Sequence, residues 1–373
     1  MAAGISVCDV LIVGGGPAGL STAMHLRRLA PALQVHVLEK AHHPRPKLCG
    51  GGLTVLAREA LARLGFPWPL PLPQVPVQTV HFRTDLARVT LRNPAGIFVV
   101  VDRPELDAYL AAEARRQGVL LHEGVTVRRV RPRGHVWEAE TDQGLWQAQV
   151  LVGADGSRGT TRNWAVSRRR HHAVARLLEA ISPSDGALAE AKTAIFDFSA
   201  LPRGLQGYLW TFPTQIAGRS HCNRGVYDAR VARRAPKPRL LPLLRACFPD
   251  LPAPAGHPLH LFSPFQRIAR PGLLLVGDAA GADPLFGEGI GPALAYGEVA
   301  AQVIVRAFRR RDFRFRDYRP RVLLSPLGRY LLLRWAVAWV GYRLARHAVP
   351  RWVIWQIARG LAAWSNYLAA RRE

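Results

Sequence analysis

A cysteine followed by three glycines is the part of this 373-residue chain whose residue types most directly suggest chemistry. Cys49 ends a basic, proline-rich loop, residues 40–53, and Gly50, Gly51 and Gly52 follow it. Consecutive glycines let the backbone approach a flat ligand closely, so we interpret this stretch as a functional loop with a thiol beside a ligand. A flexible surface connection with a buried, inert cysteine explains the same residue types, and the loop alone does not decide between them.

Residues 9–26 predict the element that positions such a ligand. An apolar run, residues 10–13, is typical of a buried parallel strand, and Gly14, Gly16 and Gly19 form G-x-G-x-x-G directly after it. Pro17 pre-sets the first turn of a helix whose N-terminus would face a pyrophosphate. A second predicted strand ends on Glu39, about 20 residues beyond Gly19, where an acid accepts hydrogen bonds from a ribose. The pattern therefore predicts a dinucleotide site.

Two later turns repeat the pattern of strand followed by glycine. Residues 145–152 predict a strand that ends in a turn carrying Asp155 and Gly156, and residues 273–276 predict a strand that ends in Gly277 and Asp278. Gly287 and Gly289 then precede a predicted helix, residues 292–308, whose N-terminus is also suited to negative charge. Ligands bind at the carboxyl ends of strands in open α/β sheets, so the three junctions are expected to converge on one ligand.

The composition is that of a folded protein with a strong positive charge. Hydrophobic residues make up 49% of the chain, and the net charge is +25, nearly all of it from arginine because the only lysines are Lys40, Lys47, Lys192 and Lys237. The positive electrostatic potential of such a chain suits a nucleic acid, an anionic membrane or an acidic substrate as a partner.

The cysteines and the apolar runs predict the setting of the protein. Cys8, Cys49, Cys222 and Cys247 show no spacing typical of zinc or iron–sulfur ligation, so we expect no metal and a reducing compartment. The first strand begins too early for a signal peptide, and no apolar run reaches the roughly 20 residues of a spanning helix. We therefore predict a cytoplasmic protein, with attachment to the inner face of a membrane left open.

The order of predicted elements indicates an α/β fold interrupted by a second domain. We expect residues 1–76, 98–162 and 266–310 to form the dinucleotide-binding domain, and residues 77–97 and 163–265 an antiparallel-sheet substrate domain. In the latter, strands at 193–198, 207–212 and 221–227 precede a basic, proline-rich helix pair that extends to residue 265. The aromatic strand at 207–212 suits either a cavity wall or ordinary sheet core.

The last segment, residues 311–373, is predicted to be a basic, helical C-terminal tail. It contains half of the chain's 10 tryptophans. The stretch 330–344 is apolar but interrupted by Arg334 and Arg343, so it should lie along an interface or a groove and not cross a bilayer. A helical cap packed on the protein and a membrane-surface contact both agree with this pattern.

Six motifs together resemble a known family over most of the chain, through about residue 310. GGGPAGL with Glu39, GADGSR at 153–158 and GDAAG at 277–281 resemble the three fingerprints of FAD enzymes similar to para-hydroxybenzoate hydroxylase. Within that superfamily, KLCGGGL at 47–53, GYLWTFP at 207–213 and PLFGEGIGPAL at 284–294 resemble the geranylgeranyl reductase family. The tail is shorter and richer in arginine than that family's usual pattern.

The resemblance implies an FAD-dependent reductase of double bonds in prenyl chains of lipids, quinones or chlorophyll-type precursors, supplied with electrons by NAD(P)H or a reduced electron carrier. It implies Cys49 or Tyr208 as proton donor, and a substrate wall formed by Tyr208, Trp210, Phe212 and Pro213. The residues it places at FAD are Gly14, Gly16, Pro17, Ala18, Gly19, Glu39, Lys40, Cys49, Gly50, Gly51, Arg103, Asp155, Gly156, Gly277, Asp278, Pro284, Gly287, Gly289 and Ile290. The expected partners are a hydrophobic prenylated molecule, a membrane surface and an electron-donor protein, without nucleic acid.

Two other functions agree with part of the sequence. An aromatic or polyketide hydroxylase would share the three FAD motifs but insert oxygen, whereas the W-x-W-x-I-P signature of flavin halogenases is absent. A non-catalytic, basic protein that binds membranes or nucleic acid would explain the charge. The basic residues, however, are spread over every segment and are not set among base-stacking aromatics, which disfavours nucleic acid.

Overall fold

A computed structural model of the chain describes residues 5–166, 173–232 and 235–370. The strands of these residues are, in chain order, β1 (Ile5–Val13), β2 (Val35–Glu39), β3 (Gly52–Leu53), β4 (Gln74–Val77), β5 (Thr79–Arg83), β6 (Arg88–Arg92), β7 (Phe98–Val101), β8 (Leu120–Glu123), β9 (Val127–Arg133), β10 (Val136–Thr141), β11 (Gly144–Gly153), β12 (Val174–Pro183), β13 (Thr193–Asp197), β14 (Gly207–Ile216), β15 (Arg219–Asp228), β16 (Ala255–His260), β17 (Ala269–Arg270) and β18 (Leu273–Leu275).

The helices connect these strands and form the C-terminal region. They are α1 (Pro17–Leu29), α2 (Val55–Arg63), α3 (Arg103–Arg116), α4 (Arg162–Ala165), α5 (Ala187–Glu190), α6 (Leu240–Cys247), α7 (Ile290–Arg310), α8 (Tyr318–Leu324), α9 (Pro326–Leu344) and α10 (Ala348–Ala370).

The first large sheet has eight strands and a parallel centre. Its path is β17-β18-β11-β1-β2-β8, with β10 and β9 joined to β11 as an antiparallel extension. Strand β1 pairs in parallel with both β2 and β11, and Val10, Leu11 and Ile12 are fully buried. An apolar strand covered on both faces is typical of such a sheet. The predicted Rossmann-like α/β core is confirmed.

The second large sheet has seven strands, mostly antiparallel, in the order β16-β12-β15-β14-β13-β5-β6. Strands β5 and β6 come from the insertion after α2, and the others come from the middle of the chain. A small third sheet, β3-β7-β4, includes Gly52–Leu53, which are the last of the three glycines after Cys49 and the leucine that follows it. The predicted combination of an α/β core, an antiparallel sheet and C-terminal helices is confirmed.

Helix α7, which follows the last glycine junction, packs closely against α1, which follows the first. A Cβ on Gly297 would lie 2.4 Å from Ser21 Oγ, so the two helices approach at a position without a side chain. Ser21 Oγ donates to the Leu294 carbonyl at 2.7 Å, which satisfies a hydroxyl that is completely buried. Pro17 and Ile290, the first residues of the two helices, both line one cavity.

The C-terminal helices pack on the protein with one face and expose the other. On α10, the Asn366 side chain accepts from the Arg92 N–H at 2.7 Å and donates to the Thr90 carbonyl at 3.0 Å. These bonds cover the edge of β6, where an open strand would attract another chain. Arg351 forms an ion pair with Asp85 at 3.0 Å. Within the described residues, no helix has both the length and the apolar character needed to cross a membrane.

One predicted feature of the middle region is wrong. We expected a helix pair between residues 227 and 265, but the described part of that segment contains the single helix α6 followed by strand β16. Pro252 and Pro254 disfavour a second helix there. Strand β12, which the periodicity did not predict, offers β16 an antiparallel partner from Val174↔His260 to Glu179↔Ala255.

Candidate active site

A cavity of about 990 Å³ is lined by residues of both large sheets. Its size lies within the range of pockets that hold cofactors and substrates. All three glycine junctions contribute to it, as does the loop around Cys49. The predicted site residues that line it are Gly14, Gly16, Pro17, Ala18, Glu39, Lys40, Cys49, Gly50, Gly51, Arg103, Asp155, Gly156, Tyr208, Trp210, Phe212, Asp278, Gly287, Gly289 and Ile290.

Four predicted site residues, Gly19, Pro213, Gly277 and Pro284, are not among the lining residues. A Cβ on Gly19 would lie 2.0 Å from the Gly14 carbonyl oxygen, and one on Gly277 would lie 2.7 Å from Ala18 Cβ, so both glycines serve close backbone packing. Pro213 alternates with Phe212 along β14 and faces the other side of the sheet. The Pro284 carbonyl accepts from Tyr227 Oη at 3.0 Å.

The junction of β1 and α1 offers a backbone cradle with a cation above it. A Cβ on Gly16 would meet no atom nearer than Arg45 Nη2 at 3.5 Å, so the open space above this glycine lies against a guanidinium. Arg45 is held by Glu39 and Asp107, each at 3.5 Å. The cradle and the cation suit a pyrophosphate. The sequence analysis did not single out Arg45, although it is the one arginine of the basic loop at residues 40–53.

The carboxylate of Glu39 is fixed at the end of β2. It accepts from the Gly15 N–H at 2.8 Å and from the Ala41 N–H at 3.1 Å. This arrangement holds the acid beside the first glycine junction, where the Rossmann pattern requires a ribose acceptor. A dinucleotide therefore fits this end of the cavity by the open glycine, the guanidinium and the acid together.

The two later acids have different surroundings. Asp155 accepts from the Thr161 N–H at 2.9 Å and from Thr161 Oγ1 at 2.6 Å, so its carboxylate stabilises the turn in which it lies. Burial raises the pKa of Asp155. Asp278 lines the cavity, and its Oδ1 lies 3.2 Å from the position that a Cβ on Gly289 would take. The acid that follows β18 is therefore adjacent to the N-terminus of α7.

The backbone of Cys49 is held by two buried polar residues of the seven-stranded sheet. The Cys49 N–H donates to Glu179 Oε1 at 3.1 Å, and the Cys49 carbonyl accepts from Asn223 Nδ2 at 3.2 Å. Asn223 also accepts from Trp210 Nε1 at 2.8 Å. Burial raises the pKa of Glu179. The network joins the thiol's loop to the aromatic strand, and neither Glu179 nor Asn223 carries a sequence motif.

A buried guanidinium lies beside the Cys49 thiol. Arg103, the first residue of α3, forms a bidentate pair with Asp107 at 2.9 and 3.0 Å. Burial lowers the pKa of Arg103, but the charge of Asp107 and then the contact with Cys49 raise it above its ordinary value. The guanidinium therefore stays charged beside the Cys49 side chain.

Aromatic side chains form the wall opposite the glycine junctions. Tyr208, Trp210 and Phe212 occupy every second position of β14 and so share one face of the strand. The ring centroid of Phe196 on β13 lies 5.0 Å from the ring centroids of both Tyr208 and Phe212. Tyr208 Oη donates to the Phe286 carbonyl at 2.6 Å. Burial raises the pKa of Tyr208. The hydroxyl of Tyr208 is thus a weak acid with its proton already engaged.

The indole of Trp210 lies against Gly225, and we expect Gly225→Ala to destabilise the protein by about 1–3 kcal/mol. A Cβ there would lie 2.2 Å from Trp210 Cζ2 and 2.5 Å from the Leu178 carbonyl oxygen, both on rigid groups. Gly256→Ala is the matched control, since its Cβ would meet only Leu178 Cδ2 at 3.3 Å and the Leu177 carbonyl oxygen at 3.5 Å. Denaturant unfolding measures both changes. Equal stability of the Gly225 variant and the wild type would contradict the packing described.

The C-terminal tail contributes Tyr330 and Arg334 to the cavity. Arg334 Nη1 donates to Asp283 Oδ2 at 2.9 Å, and the Tyr330 hydroxyl donates to Glu288. Glu288 also accepts from Thr54 Oγ1 at 2.6 Å, next to the loop of Cys49. Sequence reasoning missed these tail residues because an arginine among apolar residues indicates a surface helix equally well.

Most of this chain is similar to known proteins. Residues 7–186 match the model of an FAD binding domain. Menaquinone reductase of Mycolicibacterium smegmatis is 31% identical over 323 residues, which cover 79% of this chain and 76% of the relative. Digeranylgeranylglycerophospholipid reductase 2 of Methanothermobacter thermautotrophicus is 28% identical over 327 residues, covering 80% of this chain and 78% of the relative.

Among solved structures, a geranylgeranyl bacteriochlorophyll reductase-like protein of Thermoplasma acidophilum has a TM-score of 0.78 at 20% identity. The match covers 97% of this chain and 92% of that protein. The p-nitrophenol 4-monooxygenase of Pseudomonas putida has a TM-score of 0.66 at 16% identity, covering 95% of this chain and 98% of that protein. The chain therefore shares its fold with a reductase-like protein and with a monooxygenase.

Proposed function

The chain belongs to the geranylgeranyl reductase family of FAD-dependent oxidoreductases, and we propose that it saturates carbon–carbon double bonds in the prenyl chain of a lipid, a quinone or a chlorophyll-type precursor. Relatives named as reductases of menaquinone and of digeranylgeranylglycerophospholipid support this substrate class.

The observation that carries the proposal is the apolar part of the cavity. Beyond the aromatic wall of β14, it is lined by Val80, Phe82, Leu91, Ile97 and Phe98, contributed by β5, β6 and the segment that enters β7. Such a lining suits a hydrocarbon chain and excludes water from it. The loop of Cys49 contacts both sides of the cavity, since a Cβ on Gly50 would lie 3.1 Å from Phe212 and Oγ1 of Thr54, directly after the loop, donates to Glu288 beside the last glycine junction. An alkene in the cavity can therefore lie near both the thiol and the cofactor.

The residues that hold FAD follow from the cradle at its dinucleotide end. Gly16 and Arg45 suit the pyrophosphate, and Glu39 suits the ribose. Asp278 and the N-terminus of α7 suit the ribityl chain and the pyrimidine edge of the ring, where the helix dipole favours negative charge. When bound in its reduced form, FAD supplies the hydride for alkene reduction.

The second alkene carbon needs a proton, and we assign that proton to Cys49. Its side chain lines the cavity beside the charged guanidinium of Arg103. Tyr208 is the weaker candidate because its hydroxyl donates to the Phe286 carbonyl and its pKa is raised by burial. An isolated alkene has no oxygen on which charge can rest, so thiol and substrate must be placed tightly in a dry cavity.

Reducing equivalents must come from outside the FAD site. The chain carries one G-x-G-x-x-G fingerprint, and FAD occupies it in this proposal. We therefore propose transient binding of NAD(P)H or contact with a reduced electron-carrier protein. Anaerobic mixing of oxidised holoenzyme with NADPH, NADH or a reduced ferredoxin identifies the donor by bleaching of the flavin absorbance.

Incubation of donor-reduced holoenzyme with a prenylated quinone and with a digeranylgeranyl lipid tests the proposed activity. We expect a product two hydrogens heavier than its substrate, without added oxygen, from at least one of them. Prenyl substrates that bind in the cavity but emerge unchanged in mass would contradict the proposal.

We also propose that the tail attaches the protein to the inner face of a membrane. One face of α10 exposes Val349, Ile357, Leu361 and Trp364, which are 73, 58, 66 and 63% exposed. Successive members are separated by eight, four and three residues, which places them along one side of the helix. An apolar helix face in an arginine-rich segment suits the interface of an anionic bilayer, from which a prenyl substrate would come.

Replacing Leu361 and Trp364 together by serine should lower binding to phosphatidylglycerol liposomes about 30-fold, since each apolar side chain buried at the interface contributes on the order of 1 kcal/mol. The matched control is the double serine variant of Leu120 and Leu241, which are 50 and 47% exposed elsewhere on the protein. Cosedimentation measures both. Equal binding of the two double variants would contradict attachment through α10.

A further inference from the structure

Arg334 is a cation on the cavity wall that packs against two aromatic rings. Its guanidinium carbon lies 4.1 Å from the ring centroid of Tyr330 and 5.3 Å from that of Phe286. The ion pair with Asp283 fixes one end of the group. Two aromatic faces and one carboxylate restrict the orientation of the guanidinium, as a recognition group requires.

Only part of the hydrogen-bonding capacity of Arg334 is used by the protein. Among the described residues, Asp283 is its one hydrogen-bond partner, through Nη1. The side chain is 23% exposed, and the residue lines the cavity. A guanidinium carries five N–H donors, so the remaining donors are available to a molecule in the cavity.

The charges around Arg334 select the kind of acceptor. Asp283 is completely buried and accepts from the N–H groups of Leu285 and Phe286 at 2.7 and 3.1 Å as well as from Arg334, as expected of a carboxylate. Glu288 accepts two hydroxyl hydrogen bonds, from Thr54 and Tyr330. Burial raises the pKa of both acids, while the guanidinium of Arg334 lowers it. Two acidic side chains therefore already face one guanidinium, and a phosphate brought to this wall would add a further negative charge.

We propose that Arg334 binds an uncharged oxygen acceptor on the head group of the substrate, such as a quinone carbonyl, and so favours quinone-type over phosphate-bearing prenyl substrates; this inference rests on the proposed prenyl reductase function. The aromatic neighbours of Arg334 connect it to the chain site, because Phe286 lies 5.7 Å from Phe196 and 5.9 Å from Tyr208. A prenyl chain along β14 thus places its head group within reach of the guanidinium.

The test uses oxidised holoenzyme and three probes: a naphthoquinone with a four-unit prenyl chain, geranylgeranyl diphosphate, and a prenyl hydrocarbon of similar length without a head group. Binding is followed by perturbation of the flavin absorbance, which needs no turnover. In Arg334→Met we expect the Kd of the quinone to rise about tenfold, as for loss of one hydrogen bond to a charged donor, and that of the hydrocarbon to change less than twofold. FAD content should be unchanged, and the wild type should bind the quinone more tightly than the diphosphate.

Arg329→Met is the matched control, since Arg329 is exposed on the same helix and does not line the cavity. Should Arg334→Met fail to fold because Asp283 loses its partner, Arg334→Lys keeps a cation there. That variant is expected to weaken binding of the quinone but not of the hydrocarbon. Equal losses for quinone and hydrocarbon, an unchanged quinone Kd, loss of FAD, or tighter binding of the diphosphate would each overturn the inference. Selective quinone binding without reduction of any prenyl substrate would count against the proposed function alone.

Discussion

Cys49→Ser is expected to lower the rate of alkene reduction about 100-fold or more while FAD content and stability remain normal, because a positioned acid contributes on the order of 10² to 10⁴ in rate. Serine keeps the size of the side chain and the backbone bonds to Glu179 and Asn223. Its hydroxyl, however, is a far weaker acid, and the Arg103 guanidinium cannot compensate for that difference. The measurement is the single-turnover rate of reduced holoenzyme with a prenylated substrate.

The control for this variant is Cys247→Ser, which replaces an exposed thiol outside the cavity and should leave the rate unchanged. Tyr208→Phe separates the two candidate acids, since it removes the hydroxyl that donates to the Phe286 carbonyl. We expect a smaller loss of rate in Tyr208→Phe than in Cys49→Ser. Full activity of Cys49→Ser with normal FAD content would eliminate the thiol as the proton donor.

Gly16→Ala is expected to weaken FAD binding about 100-fold, equivalent to about 3 kcal/mol, without changing the stability of the apoprotein. In the protein alone, the added Cβ meets only Arg45 Nη2 at 3.5 Å, and Gly16 has φ −84°, which alanine adopts readily. The methyl group would instead occupy the space that the pyrophosphate needs. Titration of apoprotein with FAD, followed by flavin fluorescence, gives the affinity, and thermal unfolding gives the stability.

Gly14→Ala provides the contrast because it should damage the fold itself. Gly14 has φ +111°, and a Cβ there would lie 2.3 Å from the Ala154 carbonyl oxygen. We expect this variant to lose thermal stability even without FAD, whereas Gly16→Ala loses affinity alone. Wild-type FAD affinity in Gly16→Ala would show that the pyrophosphate does not lie over this glycine.

The glycine junctions could be predicted because their information is local. The apolar run of β1, the glycines after it and Pro17 at the start of α1 are adjacent in sequence, and each residue type has a single structural explanation. Their convergence also followed, since parallel strands bring their carboxyl ends to one edge of the sheet. The register Val13↔Gly153↔Leu275 confirms it.

The support of Cys49 could not be predicted because it is non-local. Glu179 and Asn223 lie 130 and 174 positions away along the chain, and they meet the loop only when β12 and β15 pair. A glutamate or an asparagine in a strand that alternates polar and apolar residues looks solvent-exposed in sequence. Only the structure shows that both are buried.

The tail shows a second limit of sequence reasoning. The pattern of residues 330–344 indicates an apolar segment interrupted by arginines that lies along an interface or a groove, and α9 spans it, but hydropathy does not distinguish an arginine at a membrane surface from one in a cavity. Arg343 stacks on Trp339 at 3.8 Å and is half-buried, whereas Arg334 lies in the active-site cavity. The difference arises because Asp283 is presented to Arg334 by the loop before α7.

The central claim, that this chain reduces isolated alkenes by FAD chemistry, is tested most directly by one comparison. Reduced holoenzyme is mixed with a prenylated substrate in the strict absence of oxygen and, separately, in air, and the products are analysed by mass spectrometry. We predict a product two hydrogens heavier without oxygen, formed fully in the anaerobic sample. A strict requirement for oxygen, with a gain of one oxygen atom, would contradict the account and identify the protein as a monooxygenase.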